Sequence, residues 1–362
     1  MITEWVYLEN KFIFNYKDLY KNLWSGNIHS ALSSTLIGLI PEKKNSASFL
    51  DYRPIALCNS LFKIITKIIA ERLKLVFNLY ITRDQHAFLK DRNIWDAVAL
   101  TQECLFSLRT NNIKEAILKI DLKKAYDCVD WGLLRILLAK IGLRRKGIEW
   151  IMACVENINF SVIINGTPSP FFKAERGLHQ GCPLSPLLFI LVMNTLSIHL
   201  NKAASGFSFR PIKICKDFFL SHNLFVDDIL VFAMLCKASW QCLFNIFIRF
   251  QSASGICINK EKSKLYHNET DLVLVSWIAS LFGIEVVSIE NGIKYLGFTL
   301  KLTGNKKGTG HGSWTDFIKQ FPDGRQGSSL WLVVLFWYKH FCHSWQFIGR
   351  IYFTSLLLSS KK

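Results

Sequence analysis

Two consecutive acids between two apolar runs are the feature that most constrains the fold of this chain. Leu224–Phe225 and Ile229–Phe232 flank Asp227–Asp228, a pattern that predicts a β-hairpin with the acids at its tip. Carboxylates at such a place favour a cation. An ordinary hairpin with a polar turn shows the same pattern, so the pair alone does not identify a site.

A third acid ends another predicted strand. The apolar run Ala116–Ile120 is followed directly by Asp121, and a run of this kind predicts a short strand. If this strand lies beside the hairpin in one sheet, Asp121 and Asp227 face each other within reach of a shared pair of metal ions. Phosphoryl transfer to a 3′-hydroxyl needs that geometry, because one Mg²⁺ ion lowers the hydroxyl pKa and the other neutralises the leaving pyrophosphate.

Hydrophobic periodicity predicts helices and strands that do not alternate in a regular βαβ order. This arrangement favours an α+β fold, with a sheet backed by helices. The predicted helices cover Leu61–Leu79, Trp131–Ile141, Leu184–Leu200 and Trp240–Ala253, and a further strand covers Ser161–Asn165.

The longest stretch without Asp, Glu, Lys or Arg is Gly177–Asn201. Its uninterrupted apolar run is about 15 residues, short of the roughly 20 that a membrane span needs. We therefore expect a buried helix here and no membrane partner.

The chain is basic, with 44 Lys and Arg against 27 Asp and Glu and a formal net charge of +17. Such an excess predicts a polyanionic partner, either nucleic acid or an anionic membrane surface.

The ten cysteines include no CxxC pair, which argues against a zinc knuckle or a disulfide framework and favours reduced thiols. No secretory signal follows Met1. We expect an intracellular protein, in the nucleus or cytoplasm, that is not secreted.

Several short blocks occur in a recognisable order between about residues 30 and 300. They are Thr35–Pro41, Asp51–Cys58, Lys63–Lys67, Gln85–Phe88, Ile120–Asp127, Arg176–Pro186, Phe225–Asp228, Ser254–Asn259 with Lys262–Ser263, and Tyr295–Phe298. In order and spacing the set resembles the reverse transcriptases of LINE-type non-LTR retrotransposons. The residues within the blocks are most like those of plant elements.

This resemblance implies the fingers and palm of a right-hand polymerase, with an antiparallel palm sheet and a missing or degenerate thumb. The N-terminal extension and fingers would cover 1–115 and the palm, with inserted fingers elements, 116–300, so that the reverse transcriptase core is about 35–300. The implied activity is RNA-directed DNA polymerisation with two Mg²⁺ ions, or Mn²⁺. The implied partners are an RNA template, a DNA primer or RNA/DNA heteroduplex, and deoxynucleotide triphosphates. The oligomeric state is not predicted.

The family's functional residues map onto matching positions. By resemblance, Asp121, Asp227 and Asp228 form the metal site. Asp121 and Asp227 are its principal ligands, and Asp228 beside them contributes mainly its field, or one metal contact. Arg53 resembles the fingers arginine that binds the incoming triphosphate, helped by Lys43 or Lys44. Guanidinium suits bidentate contact with phosphate oxygens, although Arg53 could also cap a turn.

Further roles follow from the same comparison. Tyr126 stands where an aromatic ring excludes a 2′-hydroxyl, although a core aromatic fits the same position. Gln180–Gly181 stands where the backbone approaches the template and nucleotide, and glycine permits such closeness. Lys262 resembles the lysine that protonates pyrophosphate, or is a solvated surface lysine. Tyr295, Leu296 and Gly297 resemble the primer grip.

Some positions depart from the family pattern. Cys182 replaces a usual Asp, His179 a usual basic residue, Glu42 a usual Lys, and Asp91 the Gly that normally precedes Arg92. None of these removes a metal ligand.

The residue composition of the chain also changes after about Thr303. No acid occurs between Gly324 and Lys362, so 301–362 is predicted to be a degenerate or frame-shifted tail in place of a thumb. An inactive retrotransposon relic and a maturase-like RNA-binding protein therefore remain alternatives to a working polymerase.

Binding to an RNA/DNA primer–template is expected to weaken steeply as salt is raised. Residues 1–303 keep 36 Lys and Arg against 25 Asp and Glu, and phosphate contacts by such a surface release bound counterions. Fluorescence anisotropy between 50 and 200 mM salt measures the effect, where a decrease of roughly tenfold or more is expected. An affinity that stays flat across this range contradicts the expectation.

Overall fold

The computed structural model describes residues 34–41, 48, 52–111, 115–215, 218–268 and 271–301. The predictions for Lys43 and Lys44, for the N-terminal extension before residue 34, and for the tail from residue 302 onward lie outside these residues.

Helices and strands alternate irregularly along the described chain. The helices are α1 (Ser60–Tyr80), α2 (Ile94–Asn111), α3 (Ala125–Cys128), α4 (Trp131–Lys140), α5 (Arg145–Glu156), α6 (Ser185–Ser205), α7 (Lys237–Ser254) and α8 (Leu272–Phe282). The strands are β1 (Ser34–Pro41), β2 (Tyr52–Leu57), β3 (Glu115–Ile120), β4 (Leu122–Lys123), β5 (Asn159–Ile164), β6 (Thr167–Pro168), β7 (Phe172–Lys173), β8 (Ile212–Cys215), β9 (Phe218–Leu220), β10 (His222–Phe225), β11 (Asp228–Met234), β12 (Cys257–Ile258), β13 (Lys264–His267), β14 (Glu285–Ser288), β15 (Ile293–Tyr295) and β16 (Phe298–Leu300).

The predicted helices and strands are all present, with ends shifted by a few residues. The α+β class is confirmed. The strand predicted at Ser161–Asn165 begins two residues earlier, at Asn159, because the periodicity that marks a strand does not mark its ends.

The central sheet has the strand order β10-β11-β3-β13-β14. Its neighbours are antiparallel except β13 and β14, which are parallel. The sheet is buried on both faces, and alternate side chains enter two separate cores. On β11, Ile229 and Val231 join the larger core, whereas Leu230 and Phe232 join the smaller one. Two buried faces fix the strand register strongly, since a slip of one residue would exchange the faces.

Helices cover one face of the central sheet. The larger core combines side chains from β3, β11 and β13 with those of α1 and α4–α8. The smaller core, on the other face, combines α2 with the β8–β9 and β15–β16 hairpins.

Helix α6 crosses the larger core. Among the described helices of at least 18 residues it is the one long and apolar enough to cross a membrane, and 61% of its apolar window is buried inside the protein. The prediction of a buried helix is therefore confirmed. Pro186 in the first turn suits the helix start, where a missing N–H leaves no broken bond.

A second sheet, here called the outer sheet, has the order β2-β1-β5-β6, with β7 also paired to β5. Strand β1 is antiparallel to β2 and parallel to β5. The outer sheet touches the loop before α6, because the backbone N–H of Ala56 donates to the carbonyl of Gln180 at 2.8 Å. This contact brings β2, which carries Arg53, to the region of the predicted site.

Replacing Glu115 by Gln is expected to stabilise the protein at neutral and alkaline pH. Glu115 is 2% exposed, its Oε2 has no hydrogen-bond partner in the described part of the chain, and burial raises its pKa from 4.5 to about 8. The folded state therefore retains a proton that the unfolded state releases, so the free energy of unfolding falls as pH rises from about 4.5 to about 8.

Chemical denaturation across this range measures the effect. Glu115→Gln is expected to remove the fall and to gain on the order of 2 kcal/mol at pH 8. The control is Glu261→Gln, because Glu261 is exposed. Identical pH profiles for wild type and Glu115→Gln would contradict the assignment.

Candidate active site at the end of the central sheet

The turn between β10 and β11 carries Asp227. Phe225 pairs with Asp228, so Val226 and Asp227 form a two-residue turn and Asp228 is the first residue of β11. The predicted hairpin is present, but only Asp227 of the acid pair lies at its tip. Val226 has a φ of 58°, a left-handed conformation that β-branched residues rarely adopt. The surroundings must hold such a turn in place.

Gln85 supports this turn from a neighbouring segment. Its side-chain Oε1 accepts a hydrogen bond of 3.0 Å from the backbone N–H of Val226, and its backbone forms a bridge to Leu224. Arg92 fixes Gln85 in turn, because its guanidinium donates to the Gln85 carbonyl at 2.8 Å. Sequence reasoning assigned Gln85 no role, since its partner Val226 is 141 residues away.

Asp121 follows directly after β3, the strand paired with β11. Ile229 pairs with Ile120, so Asp228 and Asp121 are the next residues in the same antiparallel register. The backbone N–H of Asp121 donates to Ser263 Oγ at 3.0 Å. The predicted pairing of this strand with the hairpin is therefore present, and Ser263 is a supporting residue to which sequence reasoning gave no role.

The three acids share one electrostatic environment. Burial raises the pKa of Asp228, the negative charges of Asp227 and Asp121 raise it further, and the ammonium of Lys119 opposes them. Although Asp227 is exposed at the turn, partial desolvation by the surrounding protein raises its pKa, and the charge of Asp121 adds to this effect. Negative charges gathered in this way favour a cation between them.

The donor set at this end of the sheet fits Mg²⁺ in its chemistry. Carboxylate oxygens are the ligands of hard cations, and Mg²⁺ is usually held by one or two carboxylates together with water and substrate phosphates. Within the described residues no group of three or more His, Cys, Asp and Glu side chains is placed to hold a metal ion by itself. Asp121 and Asp227 therefore suit a metal whose remaining ligands come from substrate.

Arg53 lies on β2 of the outer sheet, opposite Ile40 in the register. Its side chain is exposed, and its positive charge lowers the pKa of Asp227. The structure thus brings the predicted phosphate-binding arginine close to the predicted metal-binding acids.

Tyr126 stacks on Phe189 of α6, with ring centroids 4.4 Å apart and an interplanar angle of 11°. Burial raises the pKa of Tyr126, and the negative charge of Asp227 raises it further. The ring is therefore both packed against the core and close to the acids, so the two readings of Tyr126 from the sequence are compatible.

The glycine of the Gln180–Gly181 pair lies against β2 of the outer sheet. Gly181 has a φ of +107°, and a Cβ at this position would lie 2.6 Å from the carbonyl oxygen of Ala56. Glycine therefore permits a close approach to β2 here, and the approach of this backbone to template and nucleotide stays a prediction. The Gln180 side chain hydrogen-bonds to the carboxylate of Asp127, which lowers the pKa of that acid against the larger effect of its burial.

Comparison with known proteins gives the family of the chain. Residues 40–300 match the family of reverse transcriptases, the RNA-dependent DNA polymerases. The chain belongs to this family. A solved structure of telomerase from Candida tropicalis, in complex with the TWJ fragment of telomeric RNA, shares the fold with a TM-score of 0.51 and 17% identity. The match covers 82% of this chain and 47% of the telomerase chain.

Relatives in mobile elements confirm the predicted link to non-LTR retrotransposons. The chain is 26% identical over 208 residues to the uncharacterized 149 kDa protein of transposon TX1 from Xenopus laevis, covering 58% of this chain and 16% of that protein. It is 25% identical over 240 residues to the retrovirus-related Pol polyprotein of the type-2 retrotransposable element R2DM from Drosophila melanogaster, covering 66% and 22%. It is also 35% identical over 107 residues to an uncharacterized mitochondrial protein of Arabidopsis thaliana, covering 29% and 85%. The chain thus spans about a fifth of each mobile-element protein.

The predicted primer grip of this reverse transcriptase divides into a buried and an accessible part. Tyr295 is 1% exposed and belongs to the smaller core, so its ring cannot contact a primer. Leu296 and Gly297 form the turn between β15 and β16, with φ values of 50° and 85°. The turn is therefore the accessible part of the hairpin, and the primer-grip role of Tyr295, Leu296 and Gly297 stays a prediction.

Lys262 lies in the turn that precedes Ser263, and its side chain is exposed. Because Ser263 Oγ accepts from the backbone of Asp121, this turn is attached to the acid-bearing end of β3. The structure is compatible with both readings of Lys262.

The departures from the family pattern have simple structural causes. Asp91 has a φ of 59°, a left-handed conformation that suits the usual glycine and that Asp tolerates. His179 is buried, its Nε2 lies 3.0 Å from the carbonyl of Val155, and burial lowers its pKa to about 4. It is therefore neutral and cannot replace a basic residue. Cys182 is buried in the larger core.

Replacing Gln85 by Ala is expected to loosen the acid-bearing turn and destabilise the protein by about 1–3 kcal/mol. The variant leaves the backbone N–H of Val226 without its 3.0 Å bond, and an unsatisfied buried donor has a cost of this size. Urea denaturation measures the loss. Gln241→Ala is the matched control, because that glutamine is exposed on α7 and its side chain donates to Asn245 of the same helix. Equal midpoints for the two variants would show that Gln85 does not hold the turn.

Proposed function

We propose that the chain is the RNA-directed DNA polymerase module of a non-LTR retrotransposon. The observation that carries this proposal is the pairing of β3 with β11, which gathers Asp121, Asp227 and Asp228 at one end of the central sheet. Family membership supports the same reaction.

The two sheets suggest the subdomains of a right-hand polymerase. The outer sheet, with β1, β2 and Arg53, corresponds to the fingers, and the central sheet corresponds to the palm. The proposed division keeps 1–115 as N-terminal extension and fingers and 116–300 as palm with inserted fingers elements, since β5, β6 and β7 of the outer sheet lie within the second range.

In the proposed reaction the primer 3′-oxygen bonds to the α-phosphorus of the incoming nucleotide while the bond to pyrophosphate breaks. Mg²⁺ ions, or Mn²⁺, would lower the pKa of the 3′-hydroxyl and neutralise the leaving pyrophosphate. Asp121 and Asp227 would hold the metals, and Asp228 would add negative charge beside them. Arg53 binds the triphosphate oxygens, the 3′-hydroxyl proton leaves to solvent, and Lys262 donates a proton to pyrophosphate.

The remaining residues orient the substrates. Tyr126, backed by Phe189, limits the space beside the sugar and excludes a 2′-hydroxyl. Gln180 and Gly181 contact Ala56 and so join the loop before α6 to β2. This contact keeps Arg53 of β2 close to the acids. The turn at Leu296–Gly297 supports the primer terminus.

The proposed partners are an RNA template, a DNA primer or RNA/DNA heteroduplex, and deoxynucleotide triphosphates, inside the cell. The net charge of +17 supports binding through backbone phosphates. The alternatives are a relic that binds without polymerising and a maturase-like RNA-binding protein.

Asp227→Asn is expected to abolish primer extension on an RNA template and to leave primer–template affinity nearly unchanged. Amidation keeps the shape of the side chain but removes a charge from the metal site, and Asn is a poorer Mg²⁺ ligand. The expected loss in extension rate is on the order of a thousandfold or more. Single-turnover extension and fluorescence anisotropy measure the two quantities.

Asp91→Asn is the matched control, because Asp91 is exposed and Asn also tolerates its positive φ. It should extend the primer at the wild-type rate. Extension that survives in Asp227→Asn overturns the site assignment. An inactive wild type that binds primer–template overturns the enzyme proposal in favour of the relic or the RNA-binding protein.

A further inference from the structure

Tyr295 and Asp228 lie on the same face of the central sheet. Side chains alternate along a strand, and Leu230 and Phe232 of β11 face the smaller core. Asp228 lies two residues before Leu230 on β11. Its side chain therefore points to the same face of the sheet, at the edge of the smaller core. Tyr295 belongs to the smaller core as well.

The hairpin that carries Tyr295 is attached close to the acids. Lys119 Nζ donates to the carbonyl of Lys294 at 2.6 Å, and Lys294 directly precedes Tyr295. The positive charge of Lys119 lowers the pKa of Asp228 against the effect of burial. Burial raises the pKa of Tyr295, and the charge of Asp228 raises it further. Lys119, Asp228 and Tyr295 therefore form one group beneath the site.

The hydroxyl of Tyr295 is buried without a hydrogen-bond partner in the described residues. The side chain is 1% exposed, so the hydroxyl is shielded from bulk solvent. An unpaired buried hydroxyl is unfavourable, and phenylalanine would fill the same space without leaving a polar group unpaired. The hydroxyl is thus an unused donor beside a carboxylate.

We propose that Tyr295 is a positioning residue for Asp228, to which its buried hydroxyl donates a hydrogen bond when the site is loaded. One carboxylate oxygen of Asp228 is then held inward by Tyr295, and the other is directed toward Asp121 and Asp227. This role rests on the proposed function of the acids. It assigns to the Tyr295 side chain a task that its burial permits, in place of contact with a primer.

Metal binding tests the role without requiring catalysis. Mn²⁺, which substitutes for Mg²⁺ and is visible by electron paramagnetic resonance, is titrated into the full chain and its Tyr295→Phe variant. Loss of a supporting hydrogen bond to a metal-site carboxylate typically weakens metal affinity 10-fold to 100-fold. We expect about a tenfold loss for Tyr295→Phe, with an unchanged thermal unfolding midpoint or a higher one.

Tyr266→Phe is the matched control. Tyr266 is a buried tyrosine of the same core, but the charges near its hydroxyl are those of Lys264 and Glu285. Its Mn²⁺ affinity should equal that of the wild type. If Tyr295→Phe also binds Mn²⁺ like the wild type, the positioning role is overturned.

A double-mutant cycle with Asp228→Asn separates action through Asp228 from a general change in packing. The effect of Tyr295→Phe on Mn²⁺ affinity should disappear in the Asp228→Asn background. A full effect in that background overturns the proposal. Asp121→Asn tests the proposed function separately, because wild-type Mn²⁺ affinity in that variant would show that the acids hold no metal.

Discussion

The antiparallel pairing of β3 with β11 is the interaction on which the rest of this structure depends. Its register, with Ile229 opposite Ile120, places Asp228 opposite Asp121 and sets Asp227 at the adjoining turn. A slip of one residue would turn Leu230 and Phe232 away from the smaller core and move Asp228 to the other face. Because both faces of the sheet are buried, the packing that stabilises the fold is the same packing that assembles the acids.

Segments distant in sequence hold this arrangement through the backbone. Gly177 has a φ of +92°, and a Cβ there would lie 2.6 Å from the carbonyl oxygen of Asp127. Gly181 makes the equivalent approach to Ala56. These two contacts join the loop before α6 to the segment that carries Tyr126 and to the strand that carries Arg53. A side chain at either glycine would separate the acids from the groups proposed to bind the nucleotide.

A buried polar network supports the hairpin from the opposite side. His222 is fully buried, with its Nε2 2.7 Å from Ser197 Oγ, and Ser197 Oγ lies 3.2 Å from the Asp84 carboxylate. Asn201 donates to the same carboxylate at 2.8 Å. Buried polar groups are costly unless they are satisfied, and here they tie α6, β10 and the segment around Gln85 into one unit. The strained turn at Val226 therefore rests on a rigid support.

The sequence by itself determined the local elements and the chemistry of the site. Period-two and helical patterns located β3, the hairpin and α6 within a few residues, and Asp121 and Asp227 stood out as acids at strand ends. Only the tertiary structure decided that Asp228 begins a strand, that Tyr295 is buried, that Gly181 approaches Ala56, and that Gln85 holds the turn. Local patterns depend on neighbouring residues along the chain. The first outcome depends on the register of the hairpin, in which Asp228 pairs with Phe225 across a two-residue turn. The other three depend on contacts between segments that lie far apart in sequence, and a contact of that kind leaves no trace in the periodicity of either segment.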